Sequence, residues 1–496
     1  MLKILTPQQI KDLDAATIQQ EGIQSIELME RACHEFVKWL AEKFDSTKKI
    51  GIICGTGNNG GDGLGIARIL VEWGYSVRVW IIEGKETEDF KINRQRLPAK
   101  ITPTLFDESS NEKIFSGNDI LVDAIFGSGL SRPADGIYQK AIERFNAHTC
   151  VHIAIDIPSG MFADKHSSGP IIKAEYTISF QLPKLAFLFP ENDQFVGDWS
   201  IVDIGLSKSF AKKCETSFFY LTKRSIRKLL KVRSTFEHKG DHGKALLIAG
   251  SYGKMGACVL SSRACLRSGI GLLTVHVPTL GYSIIQSSVP EAMASVDIND
   301  HFFSESPILD SFNVIGIGPG IGKAEQTVRA LKKVLESGKP MVIDADALNI
   351  LSENSALLYI IPKGSILTPH PKEFERLVGS WKNDFERLEK QIQFAKEIKS
   401  VVILKGAYTS IATPDGKVYF NSTGNPGMAT GGTGDVLTGI LTGLLAQKYT
   451  QETAAILGVY LHGLSGDLAA RDGSLNTIIA SDLIEYLPQA YRFLDF

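Results

Sequence analysis

Residues 49–63 read KIGIICGTGNNGGDG, a short apolar run that leads directly into a glycine-rich turn. The apolar run has the length and composition of a buried strand, and the amphipathic segment GLGIARILVEWG continues from the turn. A strand, a glycine-rich turn and a helix in this order are typical of α/β domains. We therefore predict that the first part of the chain forms such a domain.

The same alternation of apolar runs and helical patterns extends along the whole chain. A helical stretch from Thr6 to Phe44 comes first, and strand-like segments follow the quoted run: SVRVWII, DILVDAIF, CVHIAID, YTISFQL and DWSIVDI. The alternation starts again with KALLIAG, GLLTVHVP, NVIGIG, PMVIDA, GSILTP and SVVILKG. Buried strands separated by helices imply mostly parallel sheets covered on both faces. We predict an α/β protein with two three-layer αβα domains.

The length of 496 residues also indicates more than one hydrophobic core. Between Leu206 and Thr235 the chain is rich in Lys and Arg and carries no chemical motif. We interpret this segment as a linker with a solvated helix face. The predicted domains are residues 1–224 and 225–496.

Composition excludes several classes of protein. Hydrophobic residues make up 44% and charged residues 22%, which are ordinary globular values, and the formal net charge is −2. A near-neutral net charge provides no excess of positive charge that would attract nucleic acid or an anionic membrane, so we expect neither as a partner. The six cysteines form no C-x-x-C pair, the N-terminus turns polar early, and no apolar run is long enough to span a bilayer. We expect a cytoplasmic protein.

The glycine-rich turn allows two interpretations. Gly55, Gly57 and Gly60 match the G-x-G-x-x-G spacing of dinucleotide-binding folds, and Glu83 ends the next strand, so a nicotinamide-dependent dehydrogenase is an alternative. Against it, Asp62 stands where the helix N-terminus would receive a phosphate, and a carboxylate repels that group. The neighbouring asparagine amides suit a hard cation or a polar ligand instead.

Two further polar turns follow strands in the first half. Asp123 ends DILVD and precedes AIFGSGLSRP, and Asp156 ends VHIAID and precedes IPSG. Singly, each aspartate is equally well explained as a helix cap or turn former. Because ligands bind at the carboxyl ends of parallel strands, three polar turns at one sheet edge favour a functional site.

Taken together, GNNGGDG, DAIFGSGL and DIPSG resemble the YjeF N-terminal family, the NAD(P)H-hydrate epimerases, over roughly residues 1–220. The resemblance implies a Rossmann-like domain and a potassium ion held by Asn59, Asp123 and Ser159. It also implies substrate contacts at Asn58, Asn59, Gly60, Gly61, Asp62, Gly127, Ser128, Gly129, Leu130, Ser131, Arg132, Pro133 and Asp156. A hydroxyl on C6 of the reduced ring is next to the ring nitrogen, whose lone pair can expel it, and water can return on either face. We expect Asp156 to protonate the leaving oxygen and deprotonate the incoming water.

The second half has its strongest signal at residues 424–435, GNPGMATGGTGD, which lead into a helix. Its glycines let backbone N–H groups point at one anion, and the helix dipole adds a favourable potential. Asp435, on the first turn, is placed to take a proton from a hydroxyl nucleophile. A glycine-rich packing segment capped by Asp435 is the structural alternative. No Walker A motif occurs, so phosphoryl transfer would use a different loop.

With KGDHGK, GSYGKMGA, GPGIG and TPHPKE, this stretch resembles the ADP/ATP-dependent NAD(P)H-hydrate dehydratases of the ribokinase-like superfamily, over roughly residues 225–496. The resemblance implies a ribokinase-like domain, with substrate contacts at Ala257, Gly320, His370 and Asp435. It implies nucleotide contacts at Lys405, Gly406, Ala407, Tyr408, Thr409 and Gly434. Mg²⁺ is expected with the phosphates of ADP or ATP. His462 is better explained as a packed core histidine, and Asp344 and Asp346 suit turn or cap roles as well as a water-mediated magnesium contact.

The two resemblances together predict a bifunctional repair enzyme for NADHX and NADPHX, the hydrates of NADH and NADPH. The first domain would be the epimerase (isomerase), and the second would be the dehydratase (lyase), which converts the S hydrate to NAD(P)H. The bacterial-style fusion favours ADP, giving AMP and phosphate, and the family suggests a homo-oligomer. A small-molecule kinase with an idle first half and a first half reduced to a scaffold are the alternatives.

Overall fold

The computed structural model describes residues 1–495, which form two compact units. One unit comprises Leu2–Thr216 and Asn383–Phe385, and the other comprises Met1, Ser217–Lys382 and the described chain from Glu386. The limits of the two domains, placed at residues 224 and 225 from the sequence, stay a prediction. Short 3-10 helices lie at Leu185–Leu188, Pro190–Asn192, Thr279–Gly281, Ser355–Ile360 and Pro426–Met428.

The first unit alternates strands and helices along most of its length. Its elements are β1 (Leu2–Lys3), α1 (Pro7–Glu21), α2 (Ser25–Lys43), β2 (Lys49–Cys54), α3 (Asn58–Glu72), β3 (Ser76–Ile82), α4 (Glu88–Gln95), β4 (Thr104–Phe106), β5 (Ile120–Ala124), α5 (Gly136–Asn146), β6 (Val151–Ile155), β7 (Tyr176–Phe180), α6 (Asp193–Val196), β8 (Asp198–Val202) and α7 (Lys208–Lys213).

The sheet of the first unit has the order β4-β3-β2-β5-β6-β7-β8, and every pairing is parallel. Successive side chains of a strand point to opposite faces. Accordingly, Ile50 and Ile52 of β2 join a core with α2 and α3, whereas Ile53 joins a second core with α5. Helices therefore cover both faces, which confirms the predicted three layers.

The second unit contains the remaining elements. They are β9 (Phe218–Tyr220), α8 (Lys223–Arg227), β10 (Lys244–Ile248), α9 (Met255–Arg267), β11 (Leu272–Val277), α10 (Tyr282–Ser288), β12 (Met293–Val296), β13 (Val314–Ile317), α11 (Glu325–Glu336), β14 (Met341–Ile343), α12 (Ala345–Glu353), β15 (Ile366–Leu367), α13 (Pro371–Val378), α14 (Asp384–Ile398), β16 (Val401–Leu404), β17 (Ser410–Ala412), β18 (Val418–Phe420), α15 (Thr433–Ala446), α16 (Gln451–Asp472) and α17 (Ala480–Asp495).

The strands of this unit follow the order β9-β18-β17-β16-β15-β14-β13-β10-β11-β12. Strands β10 to β16 pair in parallel, and β17 is antiparallel to both of its neighbours. Ala245 and Leu247 of β10 pack with α9, α15, α16 and α17, whereas Leu246 and Ile248 are buried on the opposite face. None of the helices within residues 1–495 combines the length and apolar character needed to cross a membrane.

The helical stretch predicted from Thr6 to Phe44 is two helices. Thr6 caps α1 because its hydroxyl accepts a hydrogen bond from the Gln9 backbone N–H. The Gln9 side-chain oxygen in turn accepts a hydrogen bond from the Thr6 backbone N–H. Gly22 then ends the helix in the left-handed region with φ 67°. The chain restarts as α2 at Ser25 because this glycine redirects it.

The helix after the glycine-rich turn begins earlier than predicted. Helix α3 starts at Asn58, inside the motif, so Asp62 lies in its second turn and not ahead of it. Asparagine and glycine are poor helix formers, which is why the propensity pattern placed the start later.

The segment Leu206–Thr235, interpreted from the sequence as a linker, contains regular structure. Helix α7, strand β9 and helix α8 lie within it, and β9 pairs in parallel with β18. The apolar triplet Phe218–Tyr220 is thus a sheet strand, since its pairing partner, distant in sequence, supplies the hydrogen bonds.

Candidate active sites

In the first unit, the three polar turns meet where the strand order changes direction. The chain runs outward from β2 through β3 to β4, then crosses to β5 on the other side of β2 and continues through β6. In open parallel sheets, this switch point forms a crevice at the carboxyl ends of the strands. The turns after β2, β5 and β6 all open there, as the sequence indicated.

The turn after β2 needs glycine because backbones approach closely. A Cβ atom on Gly60 would lie 1.8 Å from the Gly55 carbonyl oxygen, and one on Gly55 would lie 2.3 Å from the Ile125 carbonyl oxygen. These approaches bring the first turn of α3 against the loop after β5. The Asn59 side chain therefore packs on Gly127, with its Oδ1 atom 3.7 Å from a Cβ built there.

Asp123 and Ser159 form a buried pair beneath this loop. The Asp123 carboxylate accepts hydrogen bonds from the Ser159 hydroxyl at 2.6 Å and the Ser159 backbone N–H at 2.7 Å. The Phe126 N–H donates to Ser159 Oγ at 2.8 Å, which ties the β5 loop to the same pair. Burial raises the pKa of Asp123 to about 6, although the hydrogen bonds from Ser159 oppose the shift.

The amide nitrogen of Asn59 is buried and, within residues 1–495, has no hydrogen-bond partner. The structure thus brings the three predicted potassium ligands to one place, because Asn59 packs on Gly127 and the preceding Phe126 is bonded to Ser159. Carboxylate, amide and hydroxyl oxygens are all hard donors.

Asp156 follows β6 in a strained backbone conformation. Its φ angle is 63°, a left-handed value uncommon for residues other than glycine. Its Oδ1 atom accepts hydrogen bonds from the Phe180 N–H at 3.1 Å and from the ammonium of Lys184, which is 1% exposed. Lys184 also donates to Ser179 Oγ at 2.8 Å. Strain held by such contacts is frequent at functional sites.

Sequence reasoning missed Lys184, although a signal exists. This lysine is the charged residue within LPKLAFLFP, an otherwise apolar segment, and an isolated charge in such a segment calls for a buried partner. The partner, Asp156, is 28 positions away in sequence.

Two further carboxyls face Asp156. Burial, followed by repulsion from Asp156 and Asp14, raises the pKa of Asp62 well above its usual range. Burial and then Asp156 raise the pKa of Asp14 to about 7, and Lys184 opposes this shift. Asp14 belongs to α1 and was also missed from the sequence.

The loop Gly127–Pro133 joins the site mainly through its first residues. Gly127 packs on Asn59, whereas Ser131, Arg132 and Pro133 are exposed and the Ser131 carbonyl accepts a hydrogen bond from Lys165 at 3.1 Å. The predicted substrate loop therefore extends from the crevice toward the molecular surface.

In the second unit, a buried aspartate and a partly buried lysine form the centre of the candidate site. Asp344, at the end of β14, accepts a hydrogen bond from Lys405 Nζ at 2.9 Å and from the Thr438 hydroxyl at 2.7 Å. Lys405 follows β16, and Thr438 lies on α15. The Asp344 side chain is 2% exposed, so its charge is compensated inside the protein.

Helix α15 begins directly at this pair. Gly432 caps it with φ 91°, and a Cβ on Gly434 would lie 3.4 Å from Lys405 Nζ. Burial raises the pKa of Asp435 to about 7; Asp344 adds to the shift, and Lys405 opposes it. The helix N-terminus thus presents a protonatable carboxyl beside a partly buried cation.

Two residues of α16 hold the glycine-rich stretch in place. The Asp467 carboxylate accepts hydrogen bonds from the Gly424 N–H at 2.9 Å and the Asn425 amide at 3.0 Å. His462 Nε2 donates to the Thr433 carbonyl at 2.8 Å, and burial lowers the pKa of this histidine to about 4. His462 is therefore neutral and packed, as the sequence suggested, whereas Asp467 was missed.

The predicted substrate residues Ala257 and Gly320 are neighbours. A Cβ on Gly320, where φ is 65°, would lie 3.5 Å from the Ala257 Cβ. Asp346 accepts a hydrogen bond from the Gly322 N–H at 2.9 Å and pairs with Lys254 at 3.3 Å. Asp346 also contributes to the raised pKa of Asp435, so these loops lie around the same carboxyl.

His370 caps α13 through Nδ1, which accepts from the Lys372 N–H at 3.2 Å. Its other ring nitrogen lies 3.3 Å from Glu373, which in turn lies 3.9 Å from Lys405 Nζ. Burial first, and then the charge of Lys405, lower the pKa of His370. The predicted substrate and nucleotide residues are thus adjacent.

The nucleotide loop Lys405–Thr409 is held by its own ends. The Thr409 hydroxyl donates to the Gly406 carbonyl at 2.8 Å, and Tyr408 has φ 50°. Gly406 and Ala407 are exposed, so this turn lies at the protein surface. Among residues 1–495, no group of three or more His, Cys, Asp and Glu side chains is arranged to hold a metal ion.

The chain matches known proteins over both units. A family model described as YjeF-related protein N-terminus matches residues 25–186, and one described as NAD(P)H-hydrate dehydratase matches residues 245–489. The bifunctional NAD(P)H-hydrate repair enzyme of Moorella thermoacetica is 37% identical over 99% of this chain and 97% of its own length. That of Coxiella burnetii is 35% identical over 97% of each chain. A crystal structure of a ribokinase-like superfamily protein from Enterococcus faecalis has 28% identity and a TM-score of 0.50, covering 57% of this chain and 98% of that one.

Proposed function

The chain belongs to the family of bifunctional NAD(P)H-hydrate repair enzymes, and on that basis we propose a division of labour between its two sites. The crevice of the first unit interconverts the R and S forms of NAD(P)H hydrate. The site around Asp435 dehydrates the S form to NAD(P)H. The observation that carries the proposal is Asp435, a carboxyl with a pKa of about 7 at a helix N-terminus beside a partly buried lysine.

Dehydration is a phosphoryl transfer followed by an elimination. Asp435 takes the proton of the C6 hydroxyl, and the oxygen attacks the terminal phosphorus of the nucleotide, releasing AMP from ADP. The C6–O bond then breaks, phosphate leaves with the electron pair, and the ring nitrogen supplies its lone pair to C6. Loss of a proton from C5 restores the reduced nicotinamide. Lys405 and the backbone N–H groups at the start of α15 stabilise the transferring charge.

Magnesium would enter this site with the nucleotide. Asp344 is already bonded to Lys405 and Thr438, so the phosphates and water would supply most of the ligands, as is usual for Mg²⁺. The ion would neutralise phosphate charge. We favour ADP as the phosphoryl donor over ATP because the chain resembles the bacterial fused form.

Epimerisation needs the C6 hydroxyl to leave from one face and water to return on the other. A protonated carboxyl gives its proton to the leaving oxygen, water departs with the C6–O electrons, and the ring nitrogen forms an iminium. Water then adds to C6 and gives a proton to a carboxylate. Asp156 takes part directly, because Lys184 and the Phe180 N–H fix its carboxylate in the crevice.

Potassium fits the residues beside Asp156. The Asn59 side chain, including its Oδ1 atom, packs on Gly127 in the loop after β5, and the carboxylate of Asp123 is buried with a raised pKa. A monovalent cation held by Asn59, Asp123 and Ser159 would compensate that charge. When bound, it supplies positive potential beside the substrate.

We also place the enzyme in the cytoplasm as a homo-oligomer acting on NADHX and NADPHX. The free state of all six cysteines fits a reducing compartment. The oligomeric state rests on the family alone and is checked by light scattering of the full chain.

One assay tests the proposal. A mixture of both epimers of hydrated NADH is supplied with ADP or ATP, and recovery of the reduced-nicotinamide absorbance is followed against a buffer control. Full recovery is expected. Recovery of the S fraction alone would show that the chain has no epimerase activity. A stable phosphorylated product would favour a small-molecule kinase. The ratio of the rates with ADP and ATP decides the donor.

A further inference from the structure

Helix α1 places two charged side chains over the crevice of the first unit. A Cβ on Gly129, in the substrate loop, would lie 3.5 Å from the Lys11 ammonium. Asp14 is three residues further along the helix, and residues at this spacing share a face. The fully buried Leu13 and Thr17 anchor the helix beside them. Helix α1 is therefore packed so that Lys11 and Asp14 face the substrate loop and the carboxylates.

The Asp14 carboxylate is unusual in having no direct partner. Within residues 1–495 it makes no hydrogen bond or ion pair, although it is partly buried. The ammonium of Lys184 is bonded to Asp156 and Ser179 and attracts Asp14 only from a distance. A partly buried carboxyl without a partner costs folding free energy, and such groups concentrate at functional sites.

The charges facing Asp14 come from several elements. They are Asp156 after β6, Asp62 on α3, Lys184 after β7, and Lys11 on α1 itself. Burial and the charge of Asp156 raise the pKa of Asp14 to about 7. Near neutral pH, both of its protonation states are populated, so it can donate a proton and also accept one.

Epimerisation requires two carboxyls that can exchange a proton with the C6 oxygen. The R and S hydrates carry the C6 hydroxyl on opposite faces of the ring, so a carboxyl on one side reaches one of the two oxygens. Asp156 is fixed to the sheet by Lys184, whereas Asp14 projects from a helix that lies against the substrate loop. Carboxyls from two separate elements can each exchange a proton with the C6 oxygen on one face of the ring, so the bound ring does not need to rotate.

We propose that Asp14 is the second acid–base group of the epimerase site, exchanging a proton with the C6 oxygen on the face that Asp156 does not reach. In one direction, Asp14 gives its proton to the leaving hydroxyl, and Asp156 takes a proton from the entering water. In the other direction, the roles reverse, so protons balance over a cycle. This inference rests on the proposed epimerase function of the first unit.

The test uses the full-length Asp14→Asn variant and the R hydrate. Because the dehydratase accepts the S hydrate, recovery of NADH from the R hydrate with ADP reports epimerisation when a wild-type-like dehydratase rate is confirmed on the S hydrate. We expect Asp14→Asn to lower epimerisation by about 10²-fold or more. Asp12→Asn is the matched control, since Asp12 is an exposed carboxylate on the same helix. It should keep the wild-type rate.

Two further readouts separate chemistry from structure. The wild-type epimerisation rate should change with pH near 7, and Asp14→Asn should lose that dependence. Asp14→Glu should restore part of the rate. S-hydrate dehydration should be unchanged in all variants, and none of them should lower the melting temperature.

Each alternative result has one meaning. If Asp14→Asn epimerises at the rate of Asp12→Asn, the inference is wrong. If Asp14→Asn lowers the epimerisation rate but leaves its pH profile unchanged, Asp14 is structural and the inference is again wrong. The same holds if Asp14→Asn lowers both the rate and the melting temperature. If the wild-type chain does not epimerise the R hydrate, the proposed function of the unit fails first.

Discussion

Two lysines distinguish the two sites at the scale of single residues. Lys184 bonds directly to Asp156 and compensates its charge. Lys405 makes its direct contact with Asp344 at 2.9 Å and attracts Asp435 from farther away. Burial therefore has the larger effect on Asp435 and raises its pKa to about 7.

This pKa predicts how dehydration depends on pH. Asp435 must be ionised to act as a base, so kcat should fall about tenfold per pH unit below about pH 7 and level off above it. In the Asp435→Asn variant, kcat should no longer fall below about pH 7, and the rate should be about 10²- to 10⁴-fold lower than that of the wild type. Initial rates with the S hydrate and saturating ADP measure both effects. Asp472→Asn, which changes an exposed carboxylate of the same unit, should keep the wild-type profile.

The same pKa has a consequence for stability. Folded Asp435 binds a proton more tightly than the unfolded chain does, so the stability it contributes is full below about pH 4 and is lost as the pH rises toward about 7. Asp435→Asn should therefore raise the melting temperature at pH 8. A lower melting temperature would show that the ionised carboxylate stabilises the fold, against this reasoning.

At the scale of elements, the first turn of α3 depends on one close approach. The Gly60 Cα lies so near the Gly55 carbonyl that a Cβ would sit 1.8 Å from its oxygen. The turn after β2 and the start of α3 are therefore a single packed feature. The helix begins inside a glycine-rich motif because this contact, and not propensity, fixes its start.

Gly60→Ala tests this element. The added Cβ must displace the first turn of α3, so we expect a loss of about 1–3 kcal/mol in the free energy of unfolding. Epimerisation should fall at least tenfold, since Asn59 shifts with the turn. Gly57→Ala is the control: a Cβ there meets no atom within 4 Å, and φ is −83°. Denaturant unfolding and the R-hydrate assay should separate the two variants.

At the scale of the whole molecule, both activities lie in one chain because hydration yields both epimers and the dehydratase takes one. Each unit has its own sheet and its own hydrophobic cores. The two sites are built from different residues, so each should be removable without the other. Asp156→Asn should abolish epimerisation alone, and Asp435→Ala should abolish dehydration alone.

Mixing these two variants tests whether the substrate passes freely between sites. With both epimers and ADP, each variant alone should recover at most the S fraction above the buffer control. The mixture should recover all of the NADH, because epimerised hydrate released by one molecule is dehydrated by another. Recovery that stays at the S fraction would mean that the two sites exchange substrate only within one chain.

The sequence by itself determined the fold class and predicted where each site lies along the chain. Strand patterns such as KIGIIC and SVVIL depend on local composition and period, and polar turns after parallel strands must meet at one edge. The motif residues Asp123, Ser159 and Asp435 could therefore be singled out before their contacts were known. Whether they act as assigned stays a prediction.

The tertiary structure alone decided which distant residues complete each site. Lys184, Asp467 and Asp14 reach their sites through contacts between separate elements, and no local period records such a contact. The early start of α3 and the strand Phe218–Tyr220 have the same origin, since a close backbone approach and a distant pairing partner outweigh local propensity. The pKa of Asp435 was also decided by the tertiary structure, because its burial and the pairing of Lys405 with Asp344 exist only in the folded chain.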